Sequence, residues 1–569
     1  ALAQEDEHGL NVAIGNSALY TQNAGANAYN TAVGASAGFA VTTGIENTLI
    51  GGLAGDALNE GTKNNAFGYR ALSDDTKGSK SVALGNFTLA TQNFTSATDS
   101  FNTAVGHGAG EGVTTGRHNT LIGALVGDAL TDADFNVAVG VSALSVDTLG
   151  SRSVAIGHSA LGTQNFESAT DTYNTAVGHG AGYQVTTGIN NTLIGGLAGD
   201  ALTVGTLNVA VGASALSTDT KGQNNTALGY RALTTQNFTS ATNSYNTAVG
   251  ADAGKEITTG TQNTLIGGAA GDALGVAYSN VAVGFEALTT DVNGRSSTAI
   301  GTQALKVQNY SSSTHSYNTA VGYQAGAAVT TGINNTLIGA SAGDAVTTGS
   351  SNSFMGTNAG GGVVGGSATQ GNHNIAVGLN AFIETVVLTT GSHNIGIGNF
   401  TRTNAADSTF ATVIGYNVSG TSGYFTIGKN AEDIRAAHGN VTWQTVSDER
   451  YKKDIVDSTA GLSFINALQP RTFKYKNLGE LPEAFNAYEA DSTEVFKSSQ
   501  TQHGFIAQEV KAAIDADSNI KDGFRLWDSR DDGSQEIGEA ALIPVLTKAI
   551  QELSAQVEAL TARIVTLEG

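Results

Sequence analysis

Most of the chain repeats one five-residue pattern of polar, small and apolar positions, of which residues 174–178, Asn-Thr-Ala-Val-Gly, are typical. The pattern occurs twenty-two times, from Asn11 to the copy at Asn394. Its first position is Asn in nineteen copies and Ser in three, its fourth is always apolar, and its fifth is always Gly. Successive side chains of a strand point to opposite faces, so Thr175 and Val177 should share one face. The pattern therefore predicts a short β-strand in every repeat.

The spacing of these copies is as regular as the pattern itself. Starting at Asn30, they follow at intervals of 17, 17, 17 and 21 residues, which makes a 72-residue super-repeat. Equivalent units begin at Asn30, Asn102, Asn174, Asn246 and Asn318. A fixed period is the sequence signature of a solenoid whose units contact only their neighbours. We therefore predict an all-β solenoid, a parallel β-roll or β-helix, over residues 1–400, with a shaft end and linker over 401–446.

Two positions of the pattern carry a structural expectation. The Gly suits either a turn with positive φ or a close approach of two backbones, because it has no Cβ. The Asn could form a hydrogen-bonded ladder along the stack, or it could serve as a turn residue. The residues alone leave the ladder and the turn equally open.

Composition narrows the possible partners. The 569 residues include no Cys, which excludes disulfides and thiolate metal sites. The formal net charge of -22 argues against binding to nucleic acid or to an anionic membrane surface. No apolar run approaches the roughly 20 residues of a membrane span, so we expect no membrane insertion. The repeats contain no metal-ligand cluster or phosphate loop, and we expect neither a metal nor a cofactor.

The repeats resemble a known class of fibrous proteins. Units such as residues 153–157, Ser-Val-Ala-Ile-Gly, are similar to those of trimeric phage tail fibre shafts and of YadA-like bacterial adhesin heads. The resemblance implies a homotrimer. What the residues add independently is an abundance of small side chains, which would let neighbouring sheets approach closely.

One acidic residue recurs in the same place in every super-repeat. It stands in a Gly-Asp-Ala context, as Asp56, Asp128, Asp200, Asp272 and Asp344. A row of carboxylates could bind cations, but five identical copies favour a turn or cap position.

The longer, 21-residue interval of each super-repeat contains two aromatic positions. The first is occupied by Phe94, Phe166, Phe238 and Tyr310, and the second by Phe101, Tyr173, Tyr245 and Tyr317. Extra length in a solenoid often lies on a binding face, where exposed rings could stack on sugars. Alternatively, these rings pack over the adjacent turn, which we consider the better interpretation. The first set is nevertheless retained as a candidate ligand-binding set.

Beyond residue 400 the pattern fades, with irregular copies at 413–415 and 426–428. Charged residues become more frequent and Gly becomes rarer, and both Trp residues and all three Pro residues lie in this part of the chain. The change in composition predicts a domain boundary between Trp443 and Ser447.

Several motifs after this boundary resemble a second family. Residues 447–455, 468–470, 473–475 and 503–510 are similar, in this order, to the intramolecular chaperone domain of phage tailspikes, endosialidases and tail fibres. The resemblance implies an α+β domain over 447–569 that trimerises and guides folding of the upstream shaft. Many members of the family also cut themselves off. The stretch between Tyr475 and His503 departs from a compact match and is expected to be a surface loop or helix.

Ser447 stands five residues before Lys452, with Asp448 beside it. A lysine whose pKa is lowered by burial could take the hydroxyl proton of a serine and make it a nucleophile. The family resemblance implies that Ser447 attacks the carbonyl of Val446, with Lys452 as base and His503 as a supporting group. Asp448 is a further catalytic candidate. The alternative is that Ser447 caps a helix that contains Lys452.

The chain ends in a predicted coiled coil over 544–568. Its apolar residues alternate at spacings of four and three: Leu546, Ile550, Leu553, Val557, Leu560, Ile564 and Leu567. Ile and Val at the a positions with Leu at the d positions nominally favour two strands. The family resemblance implies three.

Together these patterns predict a structural fibre or adhesin protein, most simply a phage tail fibre in the virion. Its partners would be two further copies of the chain and a glycan or protein receptor on the host surface. The alternative is a secreted bacterial surface fibre or adhesin built from the same modules. The only enzymatic activity expected is self-cleavage, because no acid pair of the kind found in a polysaccharide-degrading tailspike is visible.

Overall fold

The computed structural model describes residues 2–4, 9–362, 371–383, 390–440, 442–445, 447–518, 520 and 524–569. The chain divides into two compact units, Ala1–Val446 and Ser447–Gly569. Each unit has a hydrophobic core of its own.

The first unit is a parallel β-solenoid of about 24 turns, as the repeats predict. Each copy of the five-residue pattern forms a three-residue strand that pairs in register with the strand of the next turn, as Thr175 does with Thr192 and Val177 with Ile194. The strands are Val12–Ile14, Thr31–Val33, Thr48–Ile50, Asn65–Phe67, Val82–Leu84, Thr103–Val105, Thr120–Ile122, Val137–Val139, Val154–Ile156, Thr175–Val177, Thr192–Ile194, Val209–Val211, Thr226–Leu228, Thr247–Val249, Thr264–Ile266, Val281–Val283, Thr298–Ile300, Thr319–Val321, Thr336–Ile338, Ser353–Met355, Ile375–Val377 and Ile395–Ile397.

The two irregular copies of the pattern extend the same sheet, through Thr412–Tyr416 and Tyr424–Lys429. The antiparallel strands Glu432–Ala437 and Gln444–Thr445 follow. Short parallel pairs lie beside the main sheet: Gly78–Ser79 with Thr98–Asp99, Gly150–Ser151 with Thr170–Asp171, Gly222–Gln223 with Thr242–Asn243, Gly294–Arg295 with Thr314–His315, and Arg402–Thr403 with Ser419–Gly420.

The strands bury their small or polar face. Asn174 and Ala176 are fully buried, whereas Thr175 and Val177 point outward and are only partly covered. The interior consists largely of stacked Ala and Leu side chains, and each fully buried Leu contributes roughly 1.5–3 kcal/mol. The fourth pattern position forms an outer apolar row along the sheet. Its most exposed members in the central turns retain 38–44% exposure: Ile122, Ile156, Ile194, Leu228, Ile266 and Ile300.

The Gly of the pattern meets both of its predicted requirements. Gly195 has a φ of 132°, and a Cβ added there would lie 2.6 Å from the carbonyl oxygen of Gly212 on the next turn. A side chain at this position would therefore collide with backbone, which cannot move aside without separating the turns.

The Asn of the pattern forms a hydrogen-bonded ladder, one of the two roles that the sequence left open. The backbone N–H of Asn191 donates to Oδ1 of Asn174 at 3.0 Å, and the N–H of Asn208 donates to Oδ1 of Asn191 at 3.1 Å. Nδ2 of Asn191 donates to the carbonyl of Gly205 at 2.9 Å, fourteen residues further along the same turn. Asn191 thus links neighbouring turns and closes its own turn, and the repetition of its bond to the preceding Asn from turn to turn forms the ladder.

A buried carboxylate precedes each 21-residue turn, a feature that the sequence analysis missed. Asp219 is fully buried; its Oδ2 accepts from Gln236 at 2.6 Å and its Oδ1 from the N–H groups of Gly222 at 2.9 Å and Phe238 at 3.3 Å. Burial raises the pKa of its carboxyl. The equivalent residues are Asp75, Asp147 and Asp291. Their recurrence every 72 residues, three positions before a Gly, was the available signal.

The second unit is a small α+β unit. Its helices are α1 (Leu462–Ala467), α2 (Ala507–Ala516) and α3 (Leu542–Glu568), with 3₁₀ helices at Glu449–Tyr451, Leu478–Glu480 and Glu539–Ala541. Strand Arg471–Phe473 pairs antiparallel with Gln502–Gly504, and Trp527–Ser529 with Gln535–Ile537. The core contains Phe464, Val510, Ile514, Leu526 and Val545. The stretch between Tyr475 and His503 contains one of the short 3₁₀ helices and a single bridge from Asn477 to Val495.

Helix α3 spans 27 residues and covers the predicted coiled-coil segment. Leu542, Val545 and Ala549 pack into the core at its start, and Pro544 fits in the first turn, where a missing N–H removes no helical bond. The α3 seam is 41–84% exposed in the single chain and comprises Leu546, Ile550, Leu553, Val557, Leu560, Ile564 and Leu567. Within the described residues no helix has the length and apolar character of a membrane span.

Candidate active site

The Ser447 and Lys452 side chains meet at the start of the second unit. Nζ of Lys452 donates to Oγ of Ser447 at 2.7 Å. The 3₁₀ helix Glu449–Tyr451 lies between them and reverses the chain, with the N–H of Lys452 bonded to the carbonyl of Glu449 at 2.9 Å. This turn brings a hydroxyl and a potential base within the hydrogen-bond distance that proton transfer requires.

Asp448, and not Ser447, caps this short helix. Its carboxylate accepts the backbone N–H of Arg450 at 2.9 Å and binds the Arg450 guanidinium at 3.0 Å and 2.6 Å. The guanidinium holds the pKa of the Asp448 carboxyl below its usual value. The alternative in which Ser447 acts as the cap is therefore wrong. In the described part of the chain, no bond joins Asp448 to Ser447 or Lys452.

His503 lies in the strand Gln502–Gly504, opposite Thr472. It lines an open cleft of about 750 Å³ with Phe473, Tyr475 and Phe496 among the other lining residues. Among the residues that the structure describes, no hydrogen bond connects it to Ser447 or Lys452. The structure brings together two of the four catalytic candidates, Ser447 and Lys452, and leaves Asp448 and His503 in other contacts.

A comparison with protein families finds one match, in the second unit. Residues 447–518 match the family model described as the chaperone of endosialidase, and the match includes Ser447, Lys452 and His503. The second unit carries a chaperone-of-endosialidase domain. A search of the curated proteins found no match to the chain. The solenoid followed by this domain, hereafter the chaperone domain, is consistent with an architecture of the tail fibre or endosialidase type.

In the single chain, the Ser447–Lys452 pair of the chaperone domain lies in the open. Both side chains are exposed, so the burial that the sequence argument invoked for Lys452 is not present in one copy. The neighbouring segment exposes Tyr451, Ile455 and Val456, with Val456 reaching 85%. Val446, which carries the carbonyl predicted to be attacked, lies outside the described residues.

The first set of aromatic residues, the candidate ligand-binding set, is buried. These side chains retain only 4–6% exposure: Phe94, Phe166, Phe238 and Tyr310. The ligand-binding assignment of this set is therefore wrong, and the preferred interpretation, packing of the rings within the solenoid, is confirmed. The hydroxyl of Tyr310 also donates to the carbonyl of Gly332 at 2.7 Å. The second set is 46–58% exposed: Phe101, Tyr173, Tyr245 and Tyr317.

The recurring Gly-Asp-Ala aspartates occupy turns, as predicted. They are half-buried, and burial raises the pKa of the carboxyl in all five: Asp56, Asp128, Asp200, Asp272 and Asp344. Within the described ranges, no group of three or more His, Cys, Asp or Glu residues is arranged to hold a metal ion.

Proposed function

We propose that the protein is a trimeric phage tail fibre whose chaperone domain directs folding of the shaft and then cuts itself off before Ser447. The observation that carries this proposal is the 2.7 Å hydrogen bond between Lys452 and Ser447, at the first residues of the chaperone domain. The fibre itself is the β-solenoid, whose turns provide structure rather than a catalytic centre.

In the proposed reaction, neutral Lys452 takes the proton of the Ser447 hydroxyl as Oγ attacks the carbonyl carbon of Val446. The bond from this carbon to the nitrogen of Ser447 breaks, and Lys452 returns the proton to the departing amine. The product is an ester between Val446 and the Ser447 side chain. Water hydrolyses the ester, which leaves a shaft ending at Val446 and a chaperone domain beginning at Ser447.

Two exposed apolar surfaces support assembly from several copies. The α3 seam presents seven apolar side chains to water, and the outer apolar row runs along the whole sheet. Monomeric proteins rarely leave contiguous apolar patches of this extent uncovered. Further copies of the same chain are the natural occupants, because a helix with this heptad pattern packs against identical helices. Three copies follow from the resemblance to the chaperone family and to trimeric shafts.

The repeats explain why such a fibre needs a chaperone at one end. A slip of one turn between neighbouring chains would cover almost the same apolar surface, so the turns themselves specify register weakly. Helix α3 assembles first, fixes the number of chains and aligns them, and the shafts then associate from that end. Removal of the domain afterwards makes the assembled shaft kinetically trapped.

Attachment to a host surface is the remaining part of the proposal. The second aromatic set, exposed once per super-repeat, offers rings for contact with a glycan or protein receptor. The alternative function, a secreted bacterial adhesin, would use the same surfaces. It is suggested by the resemblance of the same repeats to YadA-like adhesin heads. Binding of the purified shaft to intact host cells, compared with a Tyr173→Ala and Tyr245→Ala double variant, tests this part.

The chaperone role is tested by expressing three chains: the wild type, full-length Ser447→Ala, and residues 1–446 alone. Light scattering of the soluble fractions should give trimers for the first two, while residues 1–446 alone should aggregate or remain unassembled. Trimers of equal yield from residues 1–446 alone would contradict the proposed role of the chaperone domain.

A further inference from the structure

We propose that Asp448 is a positioning residue of the self-cleavage site: it holds Lys452 against Ser447 by capping the turn between them and transfers no proton itself. This inference rests on the proposed self-cleavage and assigns a role to a residue that sequence spacing had made a catalytic candidate.

The turn is the only local element that connects the two reacting side chains. Lys452 lies five positions after Ser447 in the sequence, and an extended chain of that length would hold the two side chains far apart. The 3₁₀ helix Glu449–Tyr451 instead folds the chain back, through bonds from the N–H of Tyr451 to the carbonyl of Asp448 at 3.1 Å and from Lys452 to Glu449 at 2.9 Å.

This turn has little else to stabilise it. None of its residues is buried, and single 3₁₀ turns are marginal because their hydrogen bonds have poor geometry. Asp448 has the extended backbone of an N-cap, with φ -68° and ψ 137°, and its side chain accepts the N–H of Arg450. Loss of such a cap therefore releases the turn, and with it the position of the Lys452 amine.

The carboxylate of Asp448 is poorly placed for acid–base chemistry. Both of its oxygens are engaged by Arg450, at 3.0 Å for Oδ1 to Nε and 2.6 Å for Oδ2 to Nη2. The described residues show no bond from it to either reacting side chain. The ion pair with Arg450 adds a second tie across the same turn, since residue 450 lies within it.

Three substitutions separate capping from catalysis. Asn and Ser cap helices about as well as Asp, whereas Ala cannot cap. Asn and Ser cannot serve as a carboxylate base. In full-length chains sampled over time after synthesis, Asp448→Asn and Asp448→Ser should cleave within about three-fold of the wild-type rate, and Asp448→Ala about five-fold or more slowly. The pH profile of Asp448→Asn should keep every limb of the wild-type profile, because the residue proposed to act as base is unchanged.

The opposite ranking would overturn the inference. If Asp448→Asn and Asp448→Ser are as inactive as Ser447→Ala, or if one limb of the pH profile disappears in Asp448→Asn, the carboxylate takes part in proton transfer. Equal rates for Asp448→Ala and the wild type would show that the cap is irrelevant.

A second readout does not depend on cleavage. In crystal structures of full-length Asp448→Asn, Asp448→Ser and Asp448→Ala, each combined with Ser447→Ala so that no chain is cut, Lys452 Nζ should stay in contact with Cβ of residue 447 in the first two and move away in the third. A wild-type chain that never cleaves would count against the proposed function, while these distances would still decide the role of Asp448. If Lys452 stays beside residue 447 in Asp448→Ala, the proposed positioning role of Asp448 is contradicted.

Discussion

Gly195 and Gly196 show, at the scale of single residues, how little space separates neighbouring turns of the shaft. A Cβ at Gly195 would lie 2.6 Å from the next turn, whereas a Cβ at Gly196 would meet no atom within 4 Å. The periodic Gly of the pattern was predictable from sequence, as was the need for positive φ or close approach. The difference between the two adjacent glycines in their space for a side chain was not predictable, because Gly196 lies outside the pattern.

This pair makes a matched test of the packing. Gly195→Ala should lower the melting temperature of the assembled shaft strongly or prevent its assembly, because the added methyl group meets backbone at a position of unfavourable φ. Gly196→Ala should leave the melting temperature within a few degrees of the wild type. Equal melting temperatures for both variants would contradict the close stacking of the turns.

The buried aspartates give the shaft a defined dependence on pH. Burial raises the pKa of Asp219 in the folded state above its unfolded value of about 3.9. The folded protein then binds this proton more tightly than the unfolded chain. The resulting stability is fully present below the unfolded pKa and is lost as pH rises through the folded pKa.

Asp219→Asn tests this sign, because Asn resembles the protonated carboxyl. The melting temperature of the variant should fall less than that of the wild type between pH 4 and pH 8, in addition to a pH-independent loss because the new Nδ2 faces the donor Nε2 of Gln236. Asp407→Asn, at an exposed carboxyl, should show no such divergence. A difference between Asp219→Asn and the wild type that is constant across pH would mean that the buried charge does not control stability.

At the scale of elements, the short strands and helix α3 followed from local periodicity. Each three-residue strand is repeated in the next turn, and the heptads of α3 need no distant partner to be recognised. Pairings between distant segments could not be predicted in this way. The position of His503, for example, is determined by the antiparallel pairing of Arg471–Phe473 with Gln502–Gly504. The sequence also did not reveal that Asp448 caps the 3₁₀ helix, because Asp and Ser are both common capping residues.

Leu553 tests the assembly role of α3. Leu553→Asp should abolish the trimer in full-length Ser447→Ala protein, because it places a charge in the α3 seam and removes roughly 1.5–3 kcal/mol of apolar burial per chain. Ala555→Asp, two residues away and off the seam, should leave it intact. Light scattering distinguishes the two results, and a trimer that survives Leu553→Asp would show that α3 does not set the number of chains.

At the scale of the whole molecule, a change in composition separates a repetitive shaft from a domain with ordinary globular sequence. The shaft's fold could be predicted because every turn repeats the same strand and the same pairing, so a correct prediction for one turn holds for all of them. The chaperone domain was recognisable only through motifs scattered over its length, and its internal pairings came from the structure. In the proposed function, one event ends the association of the two units: cleavage of the chain between Val446 and Ser447.

The intact mass of the purified chain, measured beside Ser447→Ala, tests that event most directly. The account predicts a wild-type shaft that ends at Val446 together with a fragment that begins at Ser447, and a variant that stays at 569 residues. If both proteins remain at 569 residues, Ser447 and Lys452 do not cleave the chain, and the chaperone domain is a permanent part of the fibre.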